Sequence, residues 1–175
     1  MIHPEVVKII IADDHPIFIE GIKKVLSEPR GKTKFEVVGE AHTGKGLLQL
    51  VRKTEADLLL LDMNLPDIDG LEVLAHLWRN KHNPLKIITV TMYDEPKFVK
   101  AAFKARVDGY ILKGNGVQEL YDAIEEVMAG NTFMGKGVSI TNGIGSRIRN
   151  GSQAGSSFQD RFIKKYHLTK RELEV

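Results

Sequence analysis

The sequence contains no cysteine and no long apolar run, and both absences limit what the protein can be. Without cysteine it has no disulfides, no thiolate metal ligands and no thiol nucleophile. The longest unbroken apolar runs, residues 9–12 and 58–61, are four residues long, whereas a membrane-spanning helix needs about 18. The acidic residues Glu5 and Asp13 occupy the N-terminal stretch that would be apolar in a signal peptide. We therefore expect a soluble, cytoplasmic protein that does not enter a membrane.

The charge of the chain is unevenly distributed. The 175 residues carry a net charge of +2, a length that suits one ordinary domain with a smaller segment beside it. Residues 1–130 contain 17 Lys and Arg against 20 Asp and Glu, whereas residues 131–175 contain eight against three. A basic tail of this kind can meet a polyanion, but solvation of a flexible segment explains the charge alone equally simply, and on charge alone we favour solvation.

Apolar stretches alternate with stretches of helical spacing along the first 130 residues. The candidate strands are residues 8–12, 35–40, 57–62, 86–91 and 109–112. The first and third are continuously apolar at their centres, which is typical of parallel strands buried on both faces. Between them, apolar residues recur every three or four positions, as Phe18, Ile22 and Val25 do. The alternation predicts an α/β fold of the (βα)5 type, with a parallel sheet and helices on both faces.

The composition changes after residue 130. Of the 27 residues 131–157, 14 are Gly, Ser or Asn, which indicates a flexible linker. Thr169 and Glu172 have the spacing of a capping box, so we expect a helix to begin there. A helix from Thr169 to Val175 is too short to be stable alone. We therefore expect the natural protein to continue beyond this point.

Polar side chains stand where the predicted strands end. In chain order they are Asp13, Asp14, Asp62, Thr91 and Lys113. The carboxyl ends of parallel strands form one edge of an open α/β sheet, and ligands bind there. Three clustered carboxylates repel one another and favour a bound cation, and ligands that are all oxygen favour Mg²⁺. A single aspartate in this position often only caps the next helix, but packing alone rarely places all five residues at strand ends. The sequence therefore predicts a magnesium site beside an ammonium and a hydroxyl that can bind an anion.

The motifs around these residues resemble the receiver domain of bacterial two-component response regulators. They are DDHPIFIEGI at residues 13–22, DMNLPDIDGLEVL at residues 62–74 and DGYILKG at residues 108–114. The DDHP opening and the ending LTKRELEV are similar to the NarL/FixJ type, whose effector is a LuxR-like helix-turn-helix. The resemblance implies a flavodoxin-like fold, doubly wound, with strand order 2-1-3-4-5. It also implies a receiver domain at residues 1–130, a linker at 131–166 and the start of a truncated DNA-binding domain at 167–175.

The resemblance further implies which residues take part in phosphorylation. Asp62 would accept a phosphoryl group from a sensor histidine kinase. The Mg²⁺ ligands would be Asp13, Asp14, Asp62 and the backbone carbonyl of Asn64, with Asp13 acting mostly through water or as a second ligand. His15 lies beside two of these aspartates and could be read as a further metal ligand, although a local or surface role is favoured.

Three residues are implied to respond to the phosphoryl group. Thr91 would bond a phosphoryl oxygen, Lys113 would form an ion pair with it, and Tyr110 would change rotamer when Thr91 moves. Many receivers have a cis-proline after this lysine, but here Gly114 follows it. A cis bond to a residue other than proline costs about 2.5–4 kcal/mol, so we expect a trans bond and a more flexible loop.

The implied function is that of a phosphorylation-controlled switch rather than an enzyme acting on other substrates. The chain would catalyse its own phosphoryl transfer and its own slow dephosphorylation. Phosphorylation would favour a homodimer, and the full-length C-terminal domain, not residues 1–175, would bind DNA to control transcription. Two alternatives are a stand-alone receiver acting through a protein partner and a Mg²⁺-dependent phosphatase of the haloacid dehalogenase type. In the latter the nucleophile would follow the first strand as Asp-x-Asp, whereas Asp62 follows the third.

Overall fold

The computed structural model describes residues 6–28, 31–79 and 84–140, in which strands and helices alternate. The strands are β1 (Val6–Ala12), β2 (Lys34–Ala41), β3 (Leu58–Leu61), β4 (Lys86–Thr91), β5 (Gly109–Leu112) and β6 (Phe133–Met134). The helices are α1 (Pro16–Ser27), α2 (Gly44–Lys53), α3 (Gly70–Leu77), α4 (Pro96–Lys104) and α5 (Val117–Met128). None of the helices in these ranges is long and apolar enough to span a membrane. The predicted α/β alternation is confirmed.

The strands form one parallel sheet in the order β2-β1-β3-β4-β5-β6. This confirms the expected order of the first five strands and adds a sixth. β1 and β3 end level with each other, because Ala12 pairs with Leu61. β6 extends the sheet by pairing Phe133 with Gly109 and Met134 with Tyr110. The sequence did not predict β6, because a two-residue strand within a Gly-, Ser- and Asn-rich stretch is too short to show an apolar periodicity.

The apolar strands are buried on both faces because helices cover both sides of the sheet. Successive side chains of a strand point to opposite faces. Ile10 and Leu59 therefore pack in one core with residues of α2, α3 and α4, whereas Ile9 and Leu58 pack in the other with residues of α1 and α5. All four side chains are fully buried. Burial on both faces explains why these strands are continuously apolar in the sequence.

The segment that follows α5 packs on the domain as far as residue 140. Met134, Val138 and Ile140 are partly buried against the core on the α4 side of the sheet. The stretch that the composition indicates as linker thus begins with residues that contact the receiver. The remainder of the predicted linker and the expected start of the helix-turn-helix at residues 167–175 lie outside the described residues.

Two isoleucines of α1 provide a matched test of this core. Ile19 is 1% exposed and packs between α1 and the sheet, whereas Ile17 is 89% exposed. Ile19→Ala should lower the free energy of unfolding by about 2–5 kcal/mol, because it leaves a cavity. Ile17→Ala should change it by less than about 0.5 kcal/mol. Urea unfolding followed by circular dichroism measures both values, and equal losses would show that α1 does not bury this face.

Candidate functional site

Three of the predicted site residues lie one position beyond the end of a strand, and backbone hydrogen bonds fix them there. In each case the N–H donates to the last carbonyl of the adjacent strand: Asp13 to Ala41 (3.0 Å), Asp62 to Ala12 (2.8 Å) and Lys113 to Thr91 (2.9 Å). Thr91 is itself the last residue of β4. Sheet geometry therefore brings side chains from four strand ends to one edge, as the sequence predicts.

The ammonium of Lys113 bridges two buried carboxylates at the centre of this edge. Its Nζ lies 2.7 Å from Asp13 Oδ2 and 2.7 Å from Asp62 Oδ2. Asp13 is 1% exposed and Asp62 is 3% exposed, so water screens their mutual repulsion poorly. Burial alone would lower the pKa of Lys113, but hydrogen bonds to the two carboxylates outweigh burial and raise it above 10.5. Lys113 is therefore a fixed positive charge at neutral pH.

The aromatic ring of Phe18 supports the same ammonium from α1. Lys113 Nζ lies 4.7 Å from the centre of this ring, within the range of a cation–π interaction. Phe18 is one of the residues whose spacing predicts α1, so the helix that covers this face of the sheet also contributes to the site.

Asp14 and His15 form the outer rim of the cluster. Asp14 is 32% exposed at its side chain, and its Oδ1 lies 2.9 Å from His15 Nδ1. The same ring nitrogen lies 3.0 Å from Asp13 Oδ1. One ligand atom from each of Asp13, Asp14, His15 and Asp62 lies within 4.8 Å of the others, so the group could hold a metal ion. His15 makes the local contacts that its sequence position indicates, and these contacts place its ring among the carboxylates.

The loop between β3 and α3 is held by an aspartate that the sequence analysis did not single out. Asn64 N–H donates to Asp62 Oδ1 at 3.1 Å, which places the loop against the site. Asp67, in the left-handed region at φ 73°, accepts from Gly44 N at 2.8 Å and from Lys45 N at 3.1 Å at the start of α2. Desolvation would raise the pKa of Asp67, but its backbone hydrogen bonds outweigh that effect and lower it. The turn-rich PDIDG motif was the available signal for this role.

Thr91 and Tyr110 are both fully buried, but only one has its hydroxyl satisfied. Thr91 Oγ1 has no hydrogen-bond partner, which is uncommon for a buried hydroxyl. The Tyr110 hydroxyl donates to Tyr93 O at 2.7 Å. Burial, and after it the charges of Asp94 and other carboxylates, raise the pKa of Tyr110, so the phenol is neutral. The Tyr110 ring is already buried in the protein interior. An inward change of rotamer, as expected on phosphorylation, is therefore not possible from this conformation.

The peptide bond after Lys113 has the expected trans geometry. No peptide bond is cis within the described ranges, so the bond from Lys113 to Gly114 is trans. Asn115 N–H donates to Leu112 O at 3.0 Å and closes a turn. The loop that carries the lysine is thus tightly turned without a proline.

A parallel α/β sheet with an acidic cluster and a lysine at its carboxyl edge is the arrangement expected of a receiver domain. A comparison with known families gives the same assignment. The family described as Response regulator receiver domain matches residues 9–125. The chain therefore belongs to the response regulator receiver domain family. It is 34% identical over 128 residues to Response regulator GacA of Pseudomonas aeruginosa, an alignment that covers 73% of this chain and 58% of that protein.

Solved structures give the same result. The RcsB response regulator of Salmonella typhimurium superposes with a TM-score of 0.69 at 30% identity, covering 77% of this chain and 64% of the RcsB chain. The signal receiver domain of the putative response regulator NarL of Mycobacterium tuberculosis gives a TM-score of 0.66 at 34% identity, covering 73% of this chain and 100% of that domain. The chain spans less than two thirds of GacA and of RcsB, so the match identifies the receiver part of such proteins.

Replacing Lys113 tests whether its ammonium holds the buried carboxylates together. Lys113→Met keeps the length of the side chain but leaves Asp13 and Asp62 without their cation. The free energy of unfolding at neutral pH should fall by about 3–5 kcal/mol, and added Mg²⁺ should restore part of the loss by binding the folded state. Thermal unfolding with and without Mg²⁺ measures both effects. The exposed Lys104 of α4 gives the control variant Lys104→Met; equal stabilities of the two variants would contradict the prediction.

Proposed function

We propose that the chain is the receiver of a two-component response regulator and that Asp62 accepts the phosphoryl group. The observation that carries this proposal is the position of Asp62, a buried carboxylate at the end of a central strand, paired with Lys113 inside a cluster of oxygen ligands. A carboxylate can act as a nucleophile toward phosphorus and form an acyl phosphate. Phosphoryl transfer depends mainly on positioning and charge neutralisation, which these residues supply. The proposed donor is a phosphohistidine of a sensor kinase.

Mg²⁺ is the cation that best suits the acidic cluster. Asp13, Asp14 and Asp62 offer hard oxygen ligands, and Mg²⁺ typically binds through a few carboxylates while retaining water and phosphate ligands. The Asp13 carboxylate already contacts Lys113 and His15, whereas the Asp14 carboxylate lies at the rim of the cluster. We therefore assign Asp14 and Asp62, with the carbonyl of Asn64, as direct ligands and Asp13 as a ligand through water or in second place. The bound ion would neutralise charge on the phosphoryl oxygens.

The protein side chains would stabilise the added phosphoryl group from two sides. Lys113 Nζ already lies 2.7 Å from Asp62 Oδ2, so it is close to the oxygens that phosphorylation adds. Thr91 has a buried hydroxyl free to donate to one of them. Satisfying that hydroxyl in only one state biases the conformation of the β4 end. Because Tyr110 is already inside, phosphorylation would hold its buried rotamer rather than create it. Slow hydrolysis at the same site would reset the switch.

The output of the switch is proposed from the relatives. RcsB is known in a structure of two dimers bound to two parallel DNAs. By analogy, the longer protein would dimerise on phosphorylation, bind DNA through its C-terminal domain and control transcription in the cytoplasm. A stand-alone receiver with a protein partner remains the second candidate, favoured only if no helix-turn-helix follows residue 175. Family membership removes the reason to consider a haloacid dehalogenase-type phosphatase.

Asp62→Asn should abolish phosphoryl uptake while preserving the fold, because the amide has nearly the same shape but is a far poorer nucleophile. Intact-mass measurement after incubation with acetyl phosphate and Mg²⁺ detects the added group. Asp57→Asn is the matched control, since Asp57 precedes the same strand at its other end and binds Lys8 N at 2.8 Å. Undiminished acid-stable or acid-labile phosphate on the Asp62→Asn protein would place the acceptor elsewhere.

Removal of the metal should prevent phosphoryl uptake, and the two aspartates that end β1 should differ in importance. Chelation should stop uptake because the charge of the phosphoryl group is then not neutralised. Asp14→Ala should weaken Mg²⁺ binding more than Asp13→Ala, since Asp14 is assigned as the direct ligand. Calorimetric titration of Mg²⁺ into each variant measures the affinities. Equal uptake with and without chelator would contradict the magnesium requirement, and a larger loss in Asp13→Ala would reverse the ligand assignment.

A further inference from the structure

Two polar side chains outside the phosphorylation site fasten the loop that carries Lys113. Asn115 Nδ2 donates to Glu119 Oε1 in the first turn of α5 and to Lys136 O at 3.0 Å. Glu119 Oε1 also accepts from Lys136 N at 3.1 Å. Asn115, Glu119 and the backbone of Lys136 thus form a closed set of three hydrogen bonds, which we call the Asn115 clasp.

The acceptor of the clasp is buried and closely packed, whereas Asn115 is partly buried and Lys136 is exposed. Glu119 is among the buried charged residues of the described chain, and a buried carboxylate is costly unless hydrogen bonds satisfy it. Gly135 is also buried, and a Cβ at this position would lie 2.2 Å from Glu119 Oε1 and 3.2 Å from Ile111 Cα. Only glycine therefore allows the segment to approach the glutamate so closely.

The clasp joins the lysine loop to the segment that leads out of the domain. Gly135 N–H donates to Tyr110 O at 2.8 Å, directly after the paired residues of β6. Lys136 follows and is held through both its N–H and its carbonyl. These residues belong to the predicted linker, whose remainder follows residue 140 in the sequence. A change in the position of the lysine loop therefore acts on the same backbone that leads to the C-terminal part of the protein.

We propose that Asn115 and Glu119 are positioning residues for Lys113, and that the clasp couples the position of this lysine to residues 135–138. This inference rests on the proposed function of Asp62 as the phosphoryl acceptor. The loop is held on one side by the bond from Lys113 N to Thr91 O, 2.9 Å long, and on the other side by the clasp. Gly114 between them has open space around its Cβ position, so its surroundings add no restraint on the loop.

Lys113 contacts carboxylates that would also bind the metal ion, and it would assist phosphoryl transfer. Loss of the clasp should therefore affect Mg²⁺ affinity and the rate of transfer in different directions. Its ammonium holds oxygens of Asp13 and Asp62, which the metal ion also needs. If the loop loosens, Mg²⁺ competes with a less firmly placed ammonium and binds at least as tightly as before. Phosphoryl transfer, which needs the ammonium beside the reacting oxygens, becomes slower. General damage to the domain would instead weaken Mg²⁺ binding and slow transfer together.

Four variants of the full chain test the inference. Asn115→Ala removes the side chain that donates two of the three hydrogen bonds of the clasp, and Gly135→Ala places a methyl group against Glu119. Glu119→Gln keeps an accepting oxygen and should retain most of the function. Asn131→Ala is the matched control, because it removes another asparagine–glutamate hydrogen bond, 2.8 Å long to Glu126, at the far end of α5.

The measurements are the rate of phosphoryl uptake from acetyl phosphate at saturating Mg²⁺, the Mg²⁺ affinity by calorimetry, and hydrogen exchange at the Lys136 amide. Asn115→Ala and Gly135→Ala should slow uptake by about tenfold, leave Mg²⁺ binding unchanged or tighter, and speed exchange at Lys136. Glu119→Gln and Asn131→Ala should behave nearly as wild type in all three measurements.

Two results would overturn the inference alone. One is uptake by Asn115→Ala at the wild-type rate, and the other is a parallel loss of Mg²⁺ affinity, uptake and thermal stability, which would make the clasp merely structural. If wild-type protein takes up no phosphoryl group, the proposed acceptor function fails and the inference fails with it.

Discussion

The arrangement of the site depends on one ammonium group held between two buried carboxylates. Lys113 Nζ lies 2.7 Å from an oxygen of Asp13 and 2.7 Å from an oxygen of Asp62. The three residues directly follow three different strands. Their contact therefore requires that β1, β3 and β5 end at matching positions along the sheet. Without a cation, the carboxylates would repel one another in a region that water hardly reaches. Parallel pairing and the site charges therefore support the same geometry.

The site is also graded from the interior to the rim. Asp13, Asp62 and Thr91 are buried, whereas Asp14 is partly exposed and His15 is exposed. The buried groups are held by strand ends and cannot adjust far without disturbing the sheet. The rim groups lie nearer to solvent, and His15 contacts both Asp13 and Asp14. The cluster that could hold a metal ion therefore combines buried ligand atoms with more exposed ones.

Sequence patterns predicted those features that repeat or that follow from strand ends. Continuous apolar runs indicated burial on both faces, and the polar residue after each run indicated which side chains meet. β6, the Asp67 loop anchor and the Asn115 clasp were not predicted. Each depends on hydrogen bonds between residues distant in the chain, such as Asn115 and Lys136, and such pairs leave no periodicity. The sequence also did not predict that the Tyr110 ring is buried, because its position depends on packing and on a hydrogen bond to the carbonyl of Tyr93.

The two edges of the sheet are closed to other chains by different means. β2 lies at one edge and carries the exposed charged side chains Lys34, Glu36 and Glu40. β6 lies at the other edge and is only two residues long. Charged and very short edge strands both discourage pairing with a second sheet. Among the described residues, both edges therefore disfavour self-association by strand addition and leave the surfaces of helices and loops as the favoured sites of a dimer contact.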